Sequence, residues 1–179
     1  QPHGVDFGAL ESRIPEVLRT PSGKVELAPQ ELLADLDRLK EAMHEVDADG
    51  LLLVGRRHLR SNNSWMHNVS VLMKGKQRCT LLIHPEDAQR AGVVDGGSAR
   101  ITSRVGSVVA VVELTNDIRP RVVSLPHGWG HGVSGTKMTI AAERAGVNSN
   151  VLTDEDQMDP LSGTSVLNGI PVTVAAVIH

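Results

Sequence analysis

A change of rhythm at residue 51 constrains the fold more than any other feature of the sequence. From there on, apolar residues come in short runs: Leu51–Val54, Val69–Met73, Thr80–Ile83, Ile101–Ser103, Val108–Leu114, Val122–Leu125 and Val172–Ile178. Gly55, Gly75, Gly96-Gly97, Gly106 and Asn116-Asp117 separate them. Apolar runs of this length, bounded by turn residues, read as strands. A parallel α/β sheet would need a regular helix between successive strands, and only two short helical stretches interrupt the pattern. One has Pro85 in its first turn, Glu86 and Asp87 near its positive end and Gly92 just past its last turn. The other runs from Lys137 to Arg144 and stops at Gly146. The fold class is therefore mainly β (α+β), a closed barrel carrying a few short peripheral helices.

The first fifty residues read differently. Residues 1–28 are rich in Pro and Gly and have no clear period, the pattern of an extended arm or linker. Within them, Thr20-Pro21-Ser22-Gly23 turns the chain into a short strand ending at Leu27. Pro29 then opens a helix with Leu32, Leu33, Leu36, Leu39 and Met43 on one face, and charged residues on the other predict a surface helix. Asp47-Ala48-Asp49-Gly50 is its stop. Two units follow: residues 1–45 as arm and surface helix, and residues 46–179 as the barrel domain. The start at Gln1 reads as a piece of a longer polypeptide.

Composition narrows the function. The 179 residues include two Trp, one Phe and no Tyr, so a base-stacking platform is not expected. The net charge of −3 lacks the basic footprint that nucleic-acid binding needs, so no nucleic-acid partner is expected. No stretch approaches the roughly 20 apolar residues of a membrane span, so no membrane insertion is expected either. The single cysteine, Cys79, sits in an apolar run as a core thiol, and the cytoplasm is the expected compartment.

Three polar clusters remain. The segment Gly55–Asn68 holds Arg56, Arg57, His58, Arg60, Ser61, Asn62, Asn63, Ser64, Trp65 and His67, and no carboxylate. Arginine clamps a phosphate through two parallel hydrogen bonds, and Ser, Asn and backbone N–H groups complete such a cradle. A helix starting at Ser61–Asn63 would add its free N–H groups. A solvated basic loop anchored by Trp65 is the plainer alternative. The second cluster is His127-Gly128-Trp129-Gly130-His131-Gly132. Its glycines make a helix improbable, so the one-face zinc spacing does not apply, and either close backbone approach to a ligand or an irregular loop accounts for it. The third, residues 146–163, offers Asn148, Asn150 and Asp159. A carboxylate there suits the N–H edge of guanine, while an acidic surface loop suits the sequence equally well.

In this order, the clusters resemble the C-terminal cofactor-binding domain of the molybdopterin oxidoreductases, a family with formate dehydrogenases, nitrate reductases and dimethyl sulfoxide reductase. The likeness covers about residues 20–178, with His84–Ala88, Gly92-Val93, Ala99–Leu114 and Asn150–Gly163 carrying it beside the Arg56–Asn68 loop. The formate dehydrogenase branch looks nearest. The resemblance implies a six-stranded double-psi β-barrel binding molybdopterin guanine dinucleotide. Arg56, Arg57, His58, Arg60, Ser61, Asn62, Asn63, Ser64 and Trp65 would lie along pyrophosphate and pterin. His127, Gly128 and Trp129 would line the cofactor, and Asn148, Asn150 and Asp159 would read guanine or ribose. It also implies that molybdenum or tungsten is held mainly by other domains, which become this domain's partners. No catalytic residue or metal ligand is assigned to the chain itself. Related barrels bind proteins or peptides, and that adaptor role is the alternative.

Overall fold

The computed structural model describes residues 2–44 and 50–177. The chain divides into two compact units, Gln1–Glu45 and Val46–His179. In the first, the expected single helix is two: α1, Gln30–Ala34, and α2, Leu36–His44, separated at Asp35. Its leucine stripe, Leu32 to Leu39, is exposed. Asp47–Asp49 of the expected stop lie outside the described residues.

The second unit is a closed barrel of six strands: β1 Leu51–Arg56, β2 Thr80–Ile83, β3 Ser98–Thr102, β4 Ser107–Leu114, β5 Val122–Pro126 and β6 Ile170–Ala176. Around the barrel the order is β1-β5-β2-β4-β3-β6. Two parallel pairs, β1 with β5 and β2 with β4, are joined by antiparallel ladders, so this is a double-psi β-barrel. Closure leaves no unpaired edge strand. Alternation along the strands fills the interior with aliphatic side chains: Leu53, Leu81, Ile83, Ile101, Val123, Leu125 and Val172 are all buried. Among the described residues, the barrel core contains no aromatic; the buried Trp129 belongs to a small second cluster with Met73 and Cys79.

Short helices decorate the barrel. Ser70–Met73, part of the run Val69–Met73 that was expected as a strand, is helix α3. A strand there would bury residues 69, 71 and 73 together, yet Val69 and Val71 are exposed and only Met73 is buried. Six strands already close the barrel without it. α4, Pro85–Ala91, ends on Gly92 in the left-handed conformation (φ 67°), which glycine adopts without a Cβ penalty. The buried Asp87 of α4 pairs with Arg90 and accepts from the Arg121 backbone N–H, fixing the approach to β5. α5 is shorter than expected, Thr139–Glu143. Among the described residues, no helix is long and apolar enough to cross a membrane.

Candidate functional site

Topology brings the three polar clusters together. Strands β1 and β5 are parallel and in register from Leu52 with Val122 to Arg56 with Pro126, so both end at the same rim. β6 runs antiparallel to β1 and begins there, with Ile170 opposite Leu53. The loop after β1, the loop after β5 and the loop leading into β6 therefore meet at one end of the barrel.

Glycine lets them touch. A Cβ on Gly128 (φ 85°) would lie 2.5 Å from the Asn63 carbonyl oxygen, and one on Gly130 (φ 108°) would lie 2.7 Å from Asn148 Cβ. Close backbone approach to a ligand and an irregular loop were the two expectations here; the contacts these glycines make within the protein are loop to loop. The Gly130 and His131 N–H groups both donate to the Ala145 carbonyl. A second weld is polar: His67 Nδ1 and His131 Nε2 are 2.7 Å apart, with the His67 ring 4.1 Å from Trp129. Burial, then the neighbouring His131, Arg78 and His58, press the His67 pKa down to about 4. His131 is lowered as well, by burial first. Both shifts favour the neutral form of the rings. Burial raises the Cys79 thiol, which packs with Met73 and Trp129 beside this weld.

The Arg56 guanidinium reaches across β5 toward the start of β2. It donates to the carbonyls of Ser124 (2.6 Å) and Thr80 (2.8 Å) and to Thr80 Oγ1 (3.0 Å), and Thr80 in turn donates to Glu113. These bonds use most of its donors, so Arg56 braces the strands rather than clamping a phosphate. Its Nε–H points to His58 Nε2 at 3.4 Å, which places the His58 proton on Nδ1. The His58 ring is kept neutral by burial and by Arg56 and Arg78.

Other expected residues divide in the same way. Ser61 is buried and donates to the His58 carbonyl; Asn62 and Asn63 take positive φ in a run of turns, so no helix begins there. Trp65 is 79% exposed and anchors nothing. Asn148 accepts from the Asn150 N–H. The Asp159 carboxylate closes its own turn, accepting from the Ser162 N–H and hydroxyl.

What the rim presents is a small cleft and a wider groove. The cleft, about 110 Å³, is floored by Leu53, Leu125 and Ile170 and edged by Arg57, His127, Ser149, Asn150, Thr153 and Asn168. The open groove, about 650 Å³, runs past Arg57, His58, Arg60, Asn62 and Asn63, so Arg57 borders both. Arg57 and Arg60 make no salt bridge among the described residues. Arg78 is lowered by burial and then by the nearby Arg60 and Arg144, the mark of crowded positive charge. His58 Nδ1 and Trp129 Nε1 are buried without a protein partner. A phosphate-bearing ligand fits this donor set. Asn168 was missed by sequence reasoning, and only the topology, which returns it to β1, shows it; Ser149 and Thr153 lie within the third cluster but were not singled out there.

Comparison with known proteins decides the family. Residues 51–171 match the family described as "Molydopterin dinucleotide binding domain". The chain belongs to it. Its cofactor is a molybdopterin dinucleotide. The domain is similar to a tetrathionate reductase of Salmonella typhimurium, 31% identical over 51% of this chain and 11% of that protein. It is similar to the molybdopterin-containing component of the arsenate respiratory reductase of Chrysiogenes arsenatis, 29% identical over 65% of this chain and 14% of that one. The probable dimethyl sulfoxide reductase chain YnfF of Escherichia coli is 30% identical over 70% of this chain and 18% of its own. The chain thus spans less than a fifth of the length of these relatives. Among solved structures, the acetylene hydratase of Pelobacter acetylenicus matches with a TM-score of 0.65 and 22% identity, over 88% of this chain and 24% of that one, a likeness of fold.

Proposed function

We propose that this domain holds a molybdopterin guanine dinucleotide at the rim of its barrel for a larger molybdenum or tungsten oxidoreductase. The observation that carries the reading is the convergence of three loops around Arg57 and Arg60, two arginines without salt bridges beside a crowded set of cations. Buried or bridged arginines would brace the fold, as Arg56 does; these two are free to meet an anion. They bracket the pyrophosphate, and the small cleft takes a ring of the ligand. When bound, the cofactor and its metal supply the redox chemistry, while this chain orients them.

The relatives named above favour a reductase as the parent over the formate dehydrogenase branch. The remaining domains of that parent are the natural partners. The adaptor reading has one observation behind it, the exposed Leu59 and Trp65 on the first loop, but a peptide groove gives no reason for a carboxylate-free loop with unbridged arginines.

GDP supplies the pyrophosphate and base without the pterin. Titrating it into the chain by calorimetry tests the reading. Binding should weaken with salt, and the double substitution Arg57→Ala/Arg60→Ala should cost about 10–100-fold, the equivalent of one or two charge-assisted hydrogen bonds. Binding unchanged by both substitutions would contradict the assignment.

A further inference from the structure

We infer that the N-terminal unit, Gln1–Glu45, is a docking arm, and that the apolar stripe of α1 and α2 seats in a groove on the body of the larger oxidoreductase. The inference rests on the reading above that such a parent contains this chain, and adds to it a contact surface. The arm lies outside the cofactor domain, whose family match begins at residue 51.

Among the described residues of this unit none is buried, so it has no core of its own. Its apolar residues are nevertheless large and patterned. Leu32, Leu33, Leu36, Leu39 and Met43 are between 44% and 70% exposed. At about 100° per residue, Leu32, Leu36, Leu39 and Met43 fall within an arc of about 60°, a narrow seam that faces one partner. Asp35, between the two helices, keeps right-handed dihedrals (φ −82°, ψ −6°), and its carbonyl accepts from the Leu39 N–H, so the stripe carries through. Upstream, Val5, Phe7, Leu10 and Ile14 are exposed as well. A helix this short is marginal in water unless its apolar face is packed, so the stripe calls for a partner.

Charge and size select that partner. The polar side of residues 30–43 carries Glu31, Asp35, Asp37 and Glu41 against Arg38 and Lys40. Arg38 pairs with Asp35 and Lys40 with Asp37, which leaves Glu31 and Glu41 without a salt bridge among the described residues. A helix that lies on a membrane carries lysine and arginine there, so an anionic lipid surface would repel this one. A second copy is a poor match on area: a stable interface takes about 20–30 residues a side, and the stripe supplies five. Helix and arm together reach that number only along a long surface. The relatives are large enough to offer one, since this chain covers 11–18% of their length. The groove is therefore apolar along its floor, with a basic edge where Glu31 flanks the stripe.

Amide hydrogen exchange reads the contact directly, comparing the 179-residue chain with the full-length oxidoreductase that contains it. In the chain alone, amides of residues 30–43 should exchange within about tenfold of an unfolded peptide, because nothing covers the helix. In the full-length enzyme they should exchange about 100-fold more slowly than in the chain alone. Leu36→Asp/Leu39→Asp should abolish that protection there, while Glu41→Gln, on the polar side, should keep it. Unchanged protection of the β2 amides shows that the barrel of each variant is folded. Fast exchange of residues 30–43 in the wild-type full-length enzyme would overturn the inference, and so would protection that survives the double substitution. Protection already present in the chain alone would also overturn it, in favour of a second copy if it rises with chain concentration. GDP binding is read separately. Protection in the full-length enzyme without GDP binding by the chain would support the docking arm and overturn the dinucleotide reading alone.

Discussion

Single residues decide whether the three loops form one site. Gly128 is the close contact between the first two loops, with no room for a Cβ against the Asn63 carbonyl and a φ that side chains avoid. Gly128→Ala should cost about 1–3 kcal/mol in chemical denaturation and weaken nucleotide binding with it, because the strain falls where the loops join. The histidine weld gives a pH signature. His67 is held neutral to about pH 4, while an unfolded histidine titrates near 6.5. Between these values the unfolded chain binds the extra proton, so stability falls as pH drops through that window and is level above it. The melting temperature should therefore decline from about pH 6.5 to 4, and His67→Gln should flatten the slope, with His131 and His58 supplying what remains. Residue roles were the least legible part of the sequence. Arg56 and Arg57 are adjacent and chemically identical, yet one is drawn across the outer face of the barrel to the carbonyls of β2 and β5 and the other is left to the rim loops. Asp159 has the chemistry of a base reader, but its own turn claims the carboxylate.

Elements were far more legible. Most of the strands were visible as apolar runs between turn residues, and α4 was visible from Pro85 through Gly92. Val69–Met73 misled because a five-residue apolar run suits a strand or a short helix, and only Met73 finds a core to enter. That helix has a consequence for the site. Asn68, at the end of the first loop, accepts from the Ile140 and Ala141 N–H groups through Oδ1 and so satisfies two otherwise free donors at the start of α5. Asn68→Ala should cost roughly 1 kcal/mol in denaturant melts, the usual value of a lost helix cap. The rim should then loosen, since the segment from Gly128 to Ala145 is held at both ends.

At the scale of the whole molecule, the parallel pairing of β1 with β5 is what makes the site. It places two strand ends side by side, and the return of β6 adds the third loop, a relation that no local pattern in the sequence reveals. The family resemblance implied it; the register shows it. The barrel beneath is a rigid aliphatic plug, and truncating Leu81, wholly buried, to Ala should cost about 2–5 kcal/mol without altering nucleotide selectivity. The most direct test of the central claim is a nitrogen–proton NMR titration of the chain with GDP. The account expects shifts concentrated in residues 57–68, 127–130 and 149–168, on the three loops of one rim. Absence of shifts, or shifts centred on the groove of Asp87, Arg90 and Thr173 instead, would contradict it.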